Sequence, residues 1–177
     1  FNIENENLND WDMSFITCLD FIFYKNETFN QNISDWNVSN VTSMNRTFEY
    51  CSNFNQNLSK WDVSNLKHLN RTFLSCQKFN QNLNNWNVSN VTSMACTFHS
   101  CYNFDQPLNN WNVSNVNNMI GMFYEAYSFN QSINEWNVSN VNDMSKMFAC
   151  KKFLIKNKIL NSHILNKFNQ PLNNWNV

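Results

Sequence analysis

The amino-acid sequence predicts an α/β repeat solenoid, with one short parallel strand plus a short helix or helical turn per 25-residue repeat. Three observations lead there: tryptophans recur at a fixed interval, the same apolar columns accompany each of them, and the residues between are almost all polar. Trp11, Trp36, Trp61, Trp86, Trp111 and Trp136 are 25 apart and Trp175 follows after 39, so one 14-residue insertion, within 149–167, accounts for the break. The whole chain, 1–177, therefore reads as a single solenoid fragment whose repeats centre on those seven tryptophans. Both ends stop inside the pattern and are read as truncated, with the remainder of the same solenoid expected on either side.

The strand is expected at L-x-x-W-x-V, as in Leu58 to Val63 and Leu83 to Val88. There Trp and Val alternate with polar residues, the period of a segment with one buried face. Past it, V-x-x-M-x-x-x-F-x-x-C sets apolar residues at intervals of three and four: Val91, Met94, Phe98 and Cys101 in one repeat, for example. That spacing predicts a short helix or helical turn on the back of the unit. Phe-Asn-Gln then leads into the next strand, where Asn and Gln side chains stand ready to satisfy backbone groups that a Gly-poor turn leaves open. A lone unit of this size buries too few apolar side chains to offset the ordering of its backbone, so the unit of stability is the stack.

The core spacing L-x-x-W-x-V matches the L-x-x-L-x-L of leucine-rich repeats, which makes the predicted fold leucine-rich-repeat-like. Asn40, Asn65, Asn90, Asn115 and Asn140 come one place earlier than the Asn of that motif, which leaves the turn geometry open. The stretch F-N-Q-P-L-N-N-W-N-V-S-N-V-N-N-M-I-G-M-F, which in this chain reads Phe104 to Phe123 with Asp105 in the second place, resembles the repeat of BspA-like leucine-rich-repeat surface proteins, abundant in mycoplasmal surface lipoproteins. The likeness extends from Leu8 to Val177, with a degenerate first unit in which Glu4-Asn5-Glu6 stands for Phe-Asn-Gln. It implies a repeat protein displayed at the cell surface or outside the cell, with adhesion or host contact as its role. It brings no catalytic residue, because the family has no active-site motif.

Composition narrows the function from another side. A formal charge of −1 with 14% charged residues provides no basic field for a phosphate backbone, which argues against nucleic acid as a partner. A chain 16% aromatic has the means to bury a core, which argues against disorder. No apolar run is long enough to be a transmembrane segment.

Candidate chemistry is sparse. Cys51, Cys76 and Cys101 occupy one column in which Ala126 comes next, the signature of a small buried residue; three in a row cannot pair off into disulfides. Cys18, Cys96 and Cys150 form no C-x-x-C pair. His68, His99 and His163 sit at unrelated phases of the repeat, so they build no ligand column. Ser39, Ser64, Ser89, Ser114 and Ser139 recur without a matching His or acid, which reads as a structural hydroxyl rather than a nucleophile. Asp10, Asp12, Asp35 and Asp62 lack the Gly-bearing loop of a calcium site. The chain is accordingly read as no enzyme, with no cofactor and no metal.

The functional expectation rests on the residues flanking each Trp, which should point out of the core. These are Asp35 and Asn37, Lys60 and Asp62, Asn85 and Asn87, Asn110 and Asn112, Glu135 and Asn137. Stacked at about 4.8 Å they would form ladders of amide and carboxylate groups suited to a protein or glycan ligand. The competing reading is that uniform Asn columns bond to one another and to water, making a structural spacer or surface coat. The N-x-S/T triplets are treated as accidents of composition. The insertion, with Lys151, Lys152, Lys156, Lys158 and Lys167, is the one locally basic segment and reads as a loop.

Overall fold

In the computed structural model, each 25-residue unit makes one coil that lies on the next. Residues 7–150, 154–155, 158–159 and 166–175 are described. Equivalent residues stand in columns, and the columns hold the coils together. Phe48 stacks on Phe73 at 5.6 Å and Phe73 on Phe98 at 5.6 Å, while Trp36 lies over Trp61 at 6.2 Å with planes 4° apart. Within a coil, the Phe before the Gln and the Phe before the Cys column face each other, as Phe48 and Phe54 do at 4.0 Å. The centre of the stack is thus a double file of phenylalanines with tryptophans along one side, and offset ring pairs of this kind add to the burial of the rings themselves.

The indole N–H would be a costly orphan in such a core. From Trp36 onward it is satisfied by the coil before: Trp61 Nε1 donates to the Ile33 carbonyl at 3.0 Å, Trp86 to Leu58 at 3.0 Å, and Trp111 to Leu83 at 2.9 Å. Three further columns treat polar atoms the same way. Asn90 Nδ2 donates to the Ser64 carbonyl at 2.7 Å, and Asn40, Asn65, Asn115 and Asn140 repeat that bond between their own coils. The early Asn that left the turn geometry open is therefore a rung between coils. The Asn of Phe-Asn-Gln forms another rung: Asn30 Oδ1 accepts the Asn55 amide, and Asn55 Oδ1 accepts the Asn80 amide. Buried Thr47, Thr72 and Thr97 lie within hydrogen-bond reach of carbonyls in the preceding coil, those of Leu19, Met44 and Leu69.

Regular elements fall elsewhere than the spacing predicts. Backbone pairing between coils does not run through L-x-x-W-x-V but through the residue before the Met column, where parallel bridges join Cys18, Ser43, His68, Ser93, Asn118 and Asp143 in turn. The reason is local. In the Trp segment side chains and tight turns take backbone donors that a ladder would need: Asn32 Oδ1 accepts the Ser34 amide, Asn37 Oδ1 the Ser39 amide, and the Trp36 amide bonds back to the Ile33 carbonyl. The short helix or helical turn expected over V-x-x-M-x-x-x-F is a run of turns. Met44, Arg46, Phe48 and Tyr50 donate to the next coil, whereas Thr47, Glu49 and Cys51 donate three residues back. Arg46 and Tyr50 reach this alternation with φ of 58° and 65°, which no α-helix contains. Among the described residues the helical content is the 3-10 turn Leu8–Asp10, and the extended segments are β1 (Leu154–Ile155) and β2 (Lys158–Ile159), an antiparallel pair.

The stack resumes after the insertion in the register it had before. Phe168 stacks on Phe129 at 6.0 Å, the Asn169 amide reaches Asn130 Oδ1 at 2.9 Å, and Trp175 Nε1 donates to the Ile133 carbonyl at 3.0 Å. Of the insertion's lysines, Lys151, Lys152 and Lys156 lie outside the described residues, as does His163.

Candidate functional site

The ten polar residues beside the tryptophans are all exposed, while each Trp and Val between them is buried from Trp36 to Val138. They ride on turns rather than on a strand, and they divide into two rows with different duties. The row Asn37, Asp62, Asn87, Asn112 and Asn137 closes turns: each Oδ1 accepts the amide two residues on, from Ser39, Ser64, Ser89, Ser114 and Ser139. The hydroxyls of Ser39, Ser89 and Ser139 reinforce the same acceptor at 2.7 to 2.8 Å, which accounts for the serine column without any nucleophile. Bonds from the Ser64 hydroxyl and amide hold the Asp62 carboxyl below the usual carboxylate range.

The second row, Asp35, Lys60, Asn85, Asn110 and Glu135, changes sign along the stack. Lys60 Nζ meets Asp35 Oδ1 at 3.3 Å with both side chains more than half exposed, an ion pair worth at most about 1 kcal/mol. Glu135 Oε1 accepts from Asn134 and, across the insertion, from Asn174. The Asn110 amide is taken by Asn84 Oδ1. This row presents charges of both signs and amides on one side of the stack, a surface able to meet polar ligands.

The cysteine column is interior. Cys51, Cys76 and Cys101 are fully buried, and each Sγ lies about 3.0 Å from a carbonyl of the preceding coil, those of Phe23, Phe48 and Phe73. Burial pushes the Cys51 thiol up to about 12 and raises those of Cys76 and Cys101 as well, so these are packing groups. All six cysteines are free, Cys18 exposed and Cys96 and Cys150 half-buried. Among the described residues no three His, Cys, Asp or Glu side chains converge on a point that could hold a metal ion. Asp12 and Asp62 each spend a carboxylate oxygen on a serine amide, and Asp35 faces Lys60. No helix among the described residues is long and apolar enough to cross a membrane.

The opposite flank, formed by the turns after the Met column, carries features that the periodic reading passes over. Arg46 lies over the Phe21 ring at 5.3 Å and Lys25 over the Tyr24 ring at 5.1 Å. Farther along, a notch of about 350 Å³ opens between Cys96, His99, Ile120, Gly121, Tyr124 and Lys146. The signal that could have found this flank is variation: one position runs Phe21, Arg46, Arg71, Cys96, Gly121 and Lys146 in an array whose core columns barely change.

A family model described as a Mycoplasma protein of unknown function, DUF285, matches residues 1–98 and again 61–163. The chain belongs to that family. The two DUF285 matches overlap across residues 61–98. No curated protein and no solved structure matches the chain.

Proposed function

We propose that this member of the DUF285 family is a non-enzymatic, leucine-rich-repeat-like solenoid of the BspA-like surface type, which binds a protein or glycan through the polar residues flanking its tryptophans. The observation that carries the reading is the row Asp35, Lys60, Asn85, Asn110 and Glu135. It is exposed throughout and changes charge from coil to coil where the core columns stay constant. A role restricted to stacking would place no premium on such changes. Membership in a Mycoplasma repeat family is consistent with a surface protein; adhesion or partner binding as the use of that display rests on the polar row alone.

The second reading is a spacer or coat without a discrete site. It draws on the neighbouring row, where Asn37, Asn87, Asn112 and Asn137 are occupied in turns and amide side chains elsewhere bond from coil to coil. A glycan-array and cell-binding screen separates the two, comparing the native chain with one carrying Asp35→Ala, Lys60→Ala, Asp62→Ala and Glu135→Ala together. Saturable binding that the variant loses while it remains folded supports the binding surface. Failure of both proteins to bind, with the fold intact, moves the assignment to the spacer.

A further inference from the structure

The flank opposite the polar row has the makings of a more discriminating surface. The only two arginines of the chain, Arg46 and Arg71, occupy the same position in consecutive coils. Both act electrostatically on one carboxyl, that of Glu49, together with Lys25. Glu49 is 2% exposed and lies 3.5 Å from Arg46 Nε, burial raises its pKa against the pull of these cations, and Lys25, Arg46 and Arg71 outnumber it. Aromatic rings frame these cations. Phe21 and Tyr50 are 49% and 40% exposed, and Tyr24 packs against both at 5.6 and 6.2 Å. Exposed Arg and aromatic side chains in one patch are the composition of protein-binding hot spots.

Two coils farther along the same flank lies the notch. Its floor is Gly121, the single glycine of the chain, at the position that Arg46, Arg71, Cys96 and Lys146 fill with side chains in other coils. A Cβ at residue 121 would meet Cys96 Sγ at 3.4 Å, so the missing side chain is what opens the space. Its walls are the Tyr124 ring, Ile120 and Cys96, with Lys146 at the rim. The φ of 57° at Gly121 does not itself demand glycine, since Arg46 and Cys96 hold 58° and 56° at the same place. Glycine is thus explained by the opening rather than by the backbone.

We propose that this flank binds an extended acidic segment of a partner protein, with carboxylates on Arg46 and Arg71 and an aromatic or long apolar side chain in the Gly121 notch. Charge complementarity selects the acidic character, and the spacing selects an extended peptide. The Phe73, Phe98 and Phe123 rings step by 5.6 and 5.7 Å, so Arg71 and Gly121 are roughly 11 Å apart along the stack, a span of roughly three to four extended residues at about 3.3 Å each. A polyanionic glycan would be drawn to the same arginines but would leave the notch unused.

The test is fluorescence polarisation on the full chain with a short labelled synthetic peptide bearing glutamates two positions apart, so that both face the same side of an extended segment, and a tryptophan four positions after the second. Saturable binding is expected. Arg46→Gln with Arg71→Gln should weaken it about tenfold or more, and Gly121→Arg, which refills the notch with the side chain Arg46 already holds at that position, should weaken it about tenfold. Gly121→Asn, which tolerates the same φ and leaves most of the opening, should bind within about twofold of the native chain. Near-UV circular dichroism of the tryptophan stack verifies that each variant is folded. No saturable binding, or loss only with the arginine pair, overturns the two-point site; the second result, matched by heparin oligosaccharide or phosphatidylserine vesicles, would mean a general polyanion surface. Peptide binding that persists in the Asp35, Lys60, Asp62 and Glu135 alanine variant supports this flank independently of the polar row. Binding lost in that variant alone overturns it and leaves the polar row standing.

Discussion

Along the tryptophan side of the stack, residues one coil apart are interchangeable: Trp36, Trp61, Trp86, Trp111 and Trp136 are buried alike, and all five donate to a carbonyl of the coil before. On the turn side the equivalent series runs Phe21, Arg46, Arg71, Cys96, Gly121 and Lys146, with nothing in common but a φ near +60°. The first series is held by two demands at once, a large aromatic face to stack and a ring N–H placed to reach the carbonyl of the coil before, and the indole meets both. The second is held only by its backbone, whose amides at Arg46, Arg71 and Cys96 bond to the next coil whatever side chain they carry. Uniformity within a repeat array thus marks where stacking leaves no choice, and diversity marks where the surface is free to be specific.

The comparison is broken most readily at its strongest point. Trp86→Ala removes a fully packed indole and leaves the Leu58 carbonyl without its donor, and a loss of about 3 to 5 kcal/mol is expected in chemical denaturation. Phe21→Ala on the turn side should stay within about 1 kcal/mol, because that ring is half exposed and touches mainly Tyr24 and Arg46. Equal losses at the two positions would erase the distinction. Next in size is the asparagine rung. Asn90→Ala leaves the Ser64 carbonyl without its 2.7 Å partner and should cost about 1 kcal/mol, whereas Asn85→Ala on the exposed row should change stability by less than about 0.5 kcal/mol.

A third pair contrasts thiols. Cys18 should react with a maleimide in the native protein, while Cys76 and Cys101 should be labelled only once denaturant opens the stack, since both are fully buried with thiol pKa values raised by that burial. Cys76→Ala, the residue found at 126 in the same column, should cost no more than about 1.5 kcal/mol. Native-state labelling of Cys76 at the rate of Cys18 would mean that the coils part easily. The smallest effect concerns pH. Asp62 has a folded pKa below its unfolded one, so its contribution is fully present above the unfolded value near about 3.9 and is lost as pH falls through the lower folded value. In Asp62→Asn, thermal melts should show a slightly shallower acid limb than the native chain, with no difference near neutrality.

Much of the stacking was legible from the period, because a Trp every 25 residues with fixed apolar companions has no use except in a neighbour-on-neighbour core. The interior role of Cys51, Cys76 and Cys101 was legible as well, from the Ala126 that replaces them. Secondary structure was not. The three-and-four spacing of Val91, Met94 and Phe98 fits a helix equally well, and nothing in it announces that Cys96 and Ser100 take a left-handed φ. Alternation around Trp likewise promised a strand, yet residues such as Asn37 divert the amides of that segment into turns. The polar row was found because its residues alternate with buried ones. The turn flank carries no chemical motif, and its Cys96 and His99 sit at different phases of the repeat; what marks it is how much its positions change from coil to coil.

The insertion within 149–167 has a practical consequence. Phe168, Asn169 and Trp175 dock on the coil below as though the extra residues were not there. Closing a longer loop costs only a logarithm of its length, so the junction between the cysteine and phenylalanine columns behaves as a splice point. The corresponding junctions after Cys51, Cys76 and Cys101 are places where foreign segments could be grafted, or where a lineage could lengthen loops by replication slippage, without disturbing the registry of the stack.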